Sequence, residues 1–217
     1  MPVQVLEAED ADMDRLIEVA SLAFQRNEPM WDLMWPLHWE TSGRKQAADR
    51  MREIRKSSPH AKYMKAVDAD SGVIIGMAKW IIYSNNTLPG KSEVKHVNYW
   101  NDEEEMAFAS IMAKLFLEER NAAIRKSGGN LVCLDVLAID PEYQRRGVGV
   151  ALVRWGTDKA DELGVEAVVE SSVYGKGLYE KNGFVFVKDV EVKSPFKGKD
   201  RSGGKFAWLV RPKKGGR

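Results

Sequence analysis

Hydrophobic and polar positions alternate or recur with a period along most of this chain, and the pattern changes several times. Residues 2–8 alternate and read as a first strand. Over 11–24, Leu16, Val19, Ala20 and Ala23 fall on one helical face, with Asp10 or Asp12 as the cap. Residues 41–56 form a second helix capped by Thr41 or Ser42; its Arg44, Lys45, Arg50, Arg52, Arg55 and Lys56 are expected to make a solvated basic face. Strands at 61–68 and 73–83 flank Ala69-Asp70-Ser71-Gly72, a hairpin signal. Residues 84–101 are polar, without period, and read as a long loop. A helix over 102–126 follows, with Met106, Ile111, Leu115 and Ile124 on its apolar face and acidic residues at its start, where the helix dipole favours them. Residues 131–139 are apolar at both parities, as in a strand covered on both faces. Then come a helix at 148–163, a strand at 167–170, a short helix at 175–182, a strand at 184–192, a turn-rich loop at 197–204 and a last strand at 205–210. The order implies an α/β fold: one mixed sheet flanked by helices, with crossovers in its second half. No linker or repeat divides the chain, so 1–217 reads as a single domain.

Composition narrows the function. Lys plus Arg is 33 against 32 Asp plus Glu, a net charge of +1, which does not suit a global nucleic-acid binder. The local excess at 211–217 reads as a frayed basic tail. No apolar run reaches the roughly 20 residues of a membrane span, and the N-terminus lacks a secretory pattern, so a cytoplasmic, soluble protein without a membrane partner is expected. Cys133 is the sole cysteine and sits in an apolar run, as a buried, inert thiol would. His38, His60 and His96 are isolated and read as structural or surface residues. No cluster has metal-ligand spacing, so no metal is expected.

The 25–40 segment holds Pro29, Trp31, Trp35, Pro36 and Trp39. Tryptophans four apart would share a helix face, but Pro36 interrupts that helix. Two readings stand: a small aromatic core beneath a loop, or a wall of a substrate pocket.

The chemistry concentrates at 131–149. A strand ends at Ile139, Asp140-Pro141 turns the chain, and Gln144-Arg145-Arg146-Gly147-Val148-Gly149 opens a helix. Free amides at a helix start attract an anion. Gly147 and Gly149 lack Cβ, which would let a pyrophosphate approach, and Arg145 and Arg146 add charge. The stretch is no Walker loop, and Leu152 stands where a dinucleotide fingerprint requires Gly or Ala, which argues against a nucleotide-dependent oxidoreductase. The absence of a G-x-S-x-G elbow argues against a serine hydrolase.

The 144–149 hexapeptide resembles the Q/R-x-x-G-x-G/A motif of the GNAT (GCN5-related N-acetyltransferase) superfamily. The segment Gly177-Leu178-Tyr179-Glu180-Lys181-Asn182-Gly183-Phe184 is similar to the family's LYEKxGF block. The resemblance is strong over 130–187 and weak before 60. It implies a splayed sheet holding acetyl-CoA as cosubstrate. Main-chain groups of Leu137, Ala138 and Ile139 would hold pantetheine, with the Leu137 amide for the oxyanion. Amides of 145–150, Val150 included, together with Gln144, would hold pyrophosphate. Tyr179 would be the acid for the leaving thiolate, and Ser171 and Ser172 would lie near pantetheine. For the base, Asp135 is a carboxylate in an apolar strand whose burial would raise its pKa; Glu170 and a water chain are rivals. The implied activity is acetyl transfer from acetyl-CoA, or a longer acyl-CoA, to a primary amine of a small molecule or protein, by direct attack in a ternary complex. A catalytically inactive CoA-binding or interaction module is the alternative. For the acceptor side, the 25–41 and 84–101 segments are candidates: Trp31, Trp35 and Trp39 suit an apolar or aromatic substrate, whereas Glu40 or Glu93 suits a cation. A monomer or homodimer is expected, with 205–210 as an edge strand able to pair between subunits.

Overall fold

The computed structural model describes residues 2–86, 88, 99–100, 102–195 and 203–215. Glu93, His96, most of the 84–101 and 197–204 loops and positions 216–217 lie outside the described residues. The elements are β1 (Val3–Glu7), α1 (Met13–Phe24), α2 (Pro29–Met34), α3 (Thr41–Ser57), β2 (Ala61–Asp68), β3 (Ile74–Tyr83), α4 (Glu103–Phe116), α5 (Glu118–Lys126), β4 (Leu131–Ile139), α6 (Val148–Leu163), β5 (Glu166–Ser171), α7 (Lys176–Lys181), β6 (Val185–Val192) and β7 (Gly204–Arg211). They build one seven-stranded mixed sheet in the order β1-β2-β3-β4-β5-β7-β6. Among the described residues only β4 and β5 pair in parallel. No helix among the described residues is long and apolar enough to cross a membrane.

Both faces of the sheet are covered. Val132 and Leu134 of β4 pack with Val148, Leu152, Val153 and Ala160 of α6. On the other face, α1 and α3 cover Tyr63 and Met77, and α4 and α5 cover Leu131 and Cys133. Contact with α6 is close because Gly156 faces Trp80: a Cβ there would overlap the indole ring.

Four expectations need correction. The 102–126 helix is two helices, broken at Leu117. The edge strand is not 205–210: β7 lies between β5 and β6, since 204–211 returns into the sheet, and β6 is the edge. Arg211 is not frayed; it ends β7 and donates to both Asp161 carboxylate oxygens at 2.7 and 2.8 Å. The α3 cations are not one solvated face. Arg52 pairs with Asp14 and Asp49, Arg55 and Lys56 pair with Asp10, and Arg50 stacks over Trp35, Tyr99 and Trp100.

Gly156→Ala is expected to destabilise the fold by about 1–3 kcal/mol through overpacking against Trp80. Urea denaturation measures this, and Trp80→Phe in the same chain should recover part of the loss.

Candidate active site

The β4 strand carries one extra residue. Lys79 of β3 pairs with Val136 and Trp80 with Leu134, so Asp135 has no partner and forms a bulge. At the same point β4 leaves β5: their pairing runs from Leu131↔Glu166 to Leu134↔Val169 and stops. Residues 136–139 stay paired with β3, while Glu170 and Ser171 pair only with β7. The result is a fork on whose β4 side the main chain of Leu137 and the Ile139 amide face away from β3 with no β5 partner.

Buried charge occupies the root of the fork. The Arg120 guanidinium of α5 donates to Asp135 Oδ1 at 2.5 Å, to Glu170 through Nε at 3.0 Å and through Nη2, and to the Leu134 carbonyl at 3.3 Å. Lys79 Nζ lies 2.8 Å from Asp135 Oδ2. This reverses the expectation for Asp135. Burial opposes its ionisation, but Lys79 and Arg120 outweigh burial and hold the carboxyl well below the usual range. Glu170 shares one cation and is more deeply buried, so burial wins there and its pKa rises. Cys133 is buried and its thiol is pushed up to about 12, which suits an inert core residue.

The loop after β4 is held from both ends. Asp140 is buried, receives a 2.6 Å bond from Arg15 and caps the following turn by accepting from the Glu142 amide at 3.2 Å. Gln144 Nε2 donates to the Ile139 carbonyl at 3.2 Å, at the exposed end of the loop. Arg145 and Gly147 both have left-handed φ, 61° and 85°. Gly147 is therefore required by conformation; the space where its Cβ would stand is open. Gly149 has a different reason. Its Cβ would stand 3.1 Å from Leu178 and 3.3 Å from Ile139, so it lets α6 pack on α7 and β4 rather than admitting a phosphate. Residues 144–147 are exposed, and the first-turn amides of Val148, Gly149 and Val150 have no acceptor within the helix. Arg146 lies 5.5 Å over the Tyr143 ring.

On the far side of the fork, α7 carries Tyr179. Its ring meets Phe184 edge-on at 5.8 Å and presses on Gly175, where a Cβ would stand 2.8 Å from it. Burial, then the nearby Glu28 carboxylate, raise the phenol's pKa, so it stays protonated. Ser171 is buried and its hydroxyl donates to the Ser172 carbonyl at 2.7 Å.

The tryptophans divide. Trp31 and Trp35 are buried with α1 and α3, their rings 5.4 Å apart, which is the aromatic-core arrangement. Helix α2 ends before Trp35, so Trp39 shares no helix face with them; it is partly exposed, with Arg26 4.4 Å over its ring. Trp35 also borders a shallow concavity with Pro36, Gly43, Gln46, Ala47, Arg50 and Tyr99. His38 is fully buried between Ser21 and Asp32, 2.9 Å from each, and His60 stacks on Tyr83.

Two site residues escaped the sequence reading. Arg120 stands four before buried Ile124, hence on the same helix face, and Lys79 alternates with Met77 and Ile81; both were legible as charges on apolar faces.

The chain matches the family model described as acetyltransferase (GNAT) domain over residues 66–186. A curated acetyltransferase from Stachybotrys chartarum is 28% identical over 145 residues, 64% of this chain and 61% of that protein, so the match spans less than two thirds of the relative. Among solved structures, a mosquito arylalkylamine N-acetyltransferase-like protein superposes with a TM-score of 0.60 at 13% identity, covering 96% of this chain and 99% of that one. The PaiA N-acetyltransferase of Thermoplasma acidophilum, solved with coenzyme A, gives 0.55 at 16% identity, covering 99% and 100%. At these identities the likeness concerns the fold.

Asp135→Asn should cost stability at pH 7, toward the lower end of the ~3–5 kcal/mol for breaking a buried pair, since the side chain is partly open to solvent. Because the native pKa is depressed, that contribution is present above the unfolded value near ~3.9 and fades as pH falls below it. Urea midpoints of both proteins at pH 7 and pH 3 should therefore converge at the lower pH.

Proposed function

The chain belongs to the acetyltransferase (GNAT) domain family, and we propose that it transfers an acetyl group from acetyl-CoA to a primary amine by direct attack within a ternary complex. The observation that carries this reading is the end of β4–β5 pairing at Leu134 and Val169, with the α6 N-terminus opening beyond the same strand.

The residues present fit the cosubstrate. First-turn amides of Val148, Gly149 and Val150, with the exposed main chain of Arg145 and Arg146, suit a pyrophosphate: the donors are fixed and the helix dipole favours the anion. The Arg145 and Arg146 side chains add positive charge. The unpaired edge of 135–139 offers amides and carbonyls to the amide groups of pantetheine, as an added strand would. The Leu137 amide then lies on the edge that faces the thioester carbonyl and is the donor for the developing oxyanion.

Tyr179 is the acid. Its buried phenol keeps its proton at neutral pH and delivers it as the thiolate leaves. Asp135 acts by holding Lys79 and Arg120 in the root of the fork; a carboxylate shared by two cations is a weak base. Cys133 takes no part, so no acyl-enzyme forms.

Tyr179→Phe should lower kcat by roughly 100-fold or more while leaving acetyl-CoA affinity unchanged. Release of CoA, followed with a thiol reagent over a panel of amines, and calorimetric titration with acetyl-CoA give the two quantities. Full turnover by the variant would remove Tyr179 from the mechanism. Binding of acetyl-CoA by the native chain without consumption of any amine would favour the sensing module.

A further inference from the structure

We propose that Arg50 of α3 binds a carboxylate of the acceptor, so that the amine acetylated belongs to an extended amino acid, its amino group several bonds away from that carboxylate. The inference rests on the acetyl-transfer reading and deepens it by naming the class of acceptor.

Arg50 stands apart from the cations that follow it on its helix. Arg52 pairs with Asp14 and Asp49, and Arg55 and Lys56 pair with Asp10. Among the described residues Arg50 has no carboxylate partner. Its acidic neighbours in sequence, Asp49 and Glu53, are both exposed, and Asp49 is taken by Arg52. The guanidinium donates through Nη1 to the carbonyl of Met34, the last residue of α2, at 2.5 Å. That leaves the edge formed by Nε and Nη2 without a protein acceptor among the described residues. Such an edge holds parallel donors that match the oxygens of a carboxylate.

The cation is also held in place. Its central carbon lies 4.5 Å from the Trp35 ring, 5.0 Å from Tyr99 and 5.4 Å from Trp100. Trp100 is itself tied down by its Nε1 bond to the Leu33 carbonyl at 2.9 Å. Ring contacts engage the charge without consuming N–H donors. A guanidinium fixed in this way loses little freedom when an anion arrives. Burial pulls its pKa down, and no carboxylate among the described residues offsets that cost. A ligand carboxylate would.

Arg50 borders a concavity that Trp35, Pro36, Gly43, Ala47 and Tyr99 also line. Trp35 and Ala47 belong to the same apolar cluster as Val136 and Ala138 of β4. The concavity therefore lies on the sheet face opposite α6, on the side of the β4 arm of the fork. Helix α3 rests on β2, and β3 lies between β2 and β4. Two strand spacings are roughly 10 Å. A carboxylate at Arg50 and an amine at the thioester beside Leu137 are thus opposite ends of one extended molecule, not neighbours on one carbon. The apolar walls suit the methylenes between them.

The test compares matched acceptors on the whole chain: 6-aminohexanoate against hexylamine, and lysine against cadaverine. Release of CoA gives kcat and KM for the native protein, Arg50→Gln and Arg50→Lys, and calorimetry gives acetyl-CoA affinity. We expect the native protein to favour the carboxylate-bearing member of each pair by roughly 10- to 100-fold in kcat/KM, as one charge-assisted hydrogen-bonding pair supplies. R50Q should erase that ratio, chiefly through KM, and keep acetyl-CoA affinity. R50K should restore only part of the ratio, since an ammonium lacks the planar fork. Native protein that acetylates both members of each pair equally, or prefers hexylamine and cadaverine, overturns the inference and leaves acetyl transfer standing; this comparison needs no variant to fold. R50Q that keeps the native ratio removes Arg50 from acceptor recognition. Native protein that does not bind acetyl-CoA overturns this inference and the acetyl-transfer reading together.

Discussion

A single guanidinium stands where two strands of the sheet part. Asp135 on β4 and Glu170 on β5 are the first residues beyond the last β4–β5 pair, and both are carboxylates. Side by side in a low-dielectric setting they would repel. Arg120 enters between them from α5 and also takes the Leu134 carbonyl. Such a network is expensive to desolvate and is a weak argument for stability in itself. Its value here is geometric. The strands pair where the neighbours are apolar and separate where the guanidinium must fit.

The consequences propagate from that point. Once β4 has left β5 it still needs support on its other edge, and β3 provides it through Ile139. The free edge and the α6 N-terminus then lie in series along one strand and its following loop. Left-handed Arg145 and Gly147 turn the chain so that the helix starts there, and Gly149 lets the helix settle on Ile139 and Leu178. One constraint thus lines up main-chain donors over the length of a long, thin, anion-tipped ligand. Beyond the fork, α7 presents Tyr179, the acid of the proposed reaction, from an element remote in sequence.

That separation explains what the sequence disclosed. Local patterns were legible: β2, β4 and α6 lie where alternation, two-sided burial and the glycine-rich start put them, because each obeys one dominant period. The stretch 131–149 is contiguous, so its strand, turn and helix-start anion site could be read from the residues, and the resemblance to the family motif pointed to acetyl-CoA. The acceptor half is not. Asp135 was misread because burial was visible in the sequence while its two cations, one strand and one helix away, were not. Trp31 and Trp35 were left between an aromatic core and a pocket wall because their spacing was visible, while the helices covering them were not. β7 was taken for an edge because strand order depends on pairing, to which periodicity is blind.

The account turns on the fork and the α6 start forming one continuous acetyl-CoA clamp. Amide hydrogen exchange of the whole chain with and without acetyl-CoA tests this directly. The account predicts slowed exchange at Leu137, Ile139 and across 145–150, with the α6 C-terminal half unchanged. Unchanged exchange over these amides at saturating acetyl-CoA, or protection confined to another part of the sheet, would contradict it.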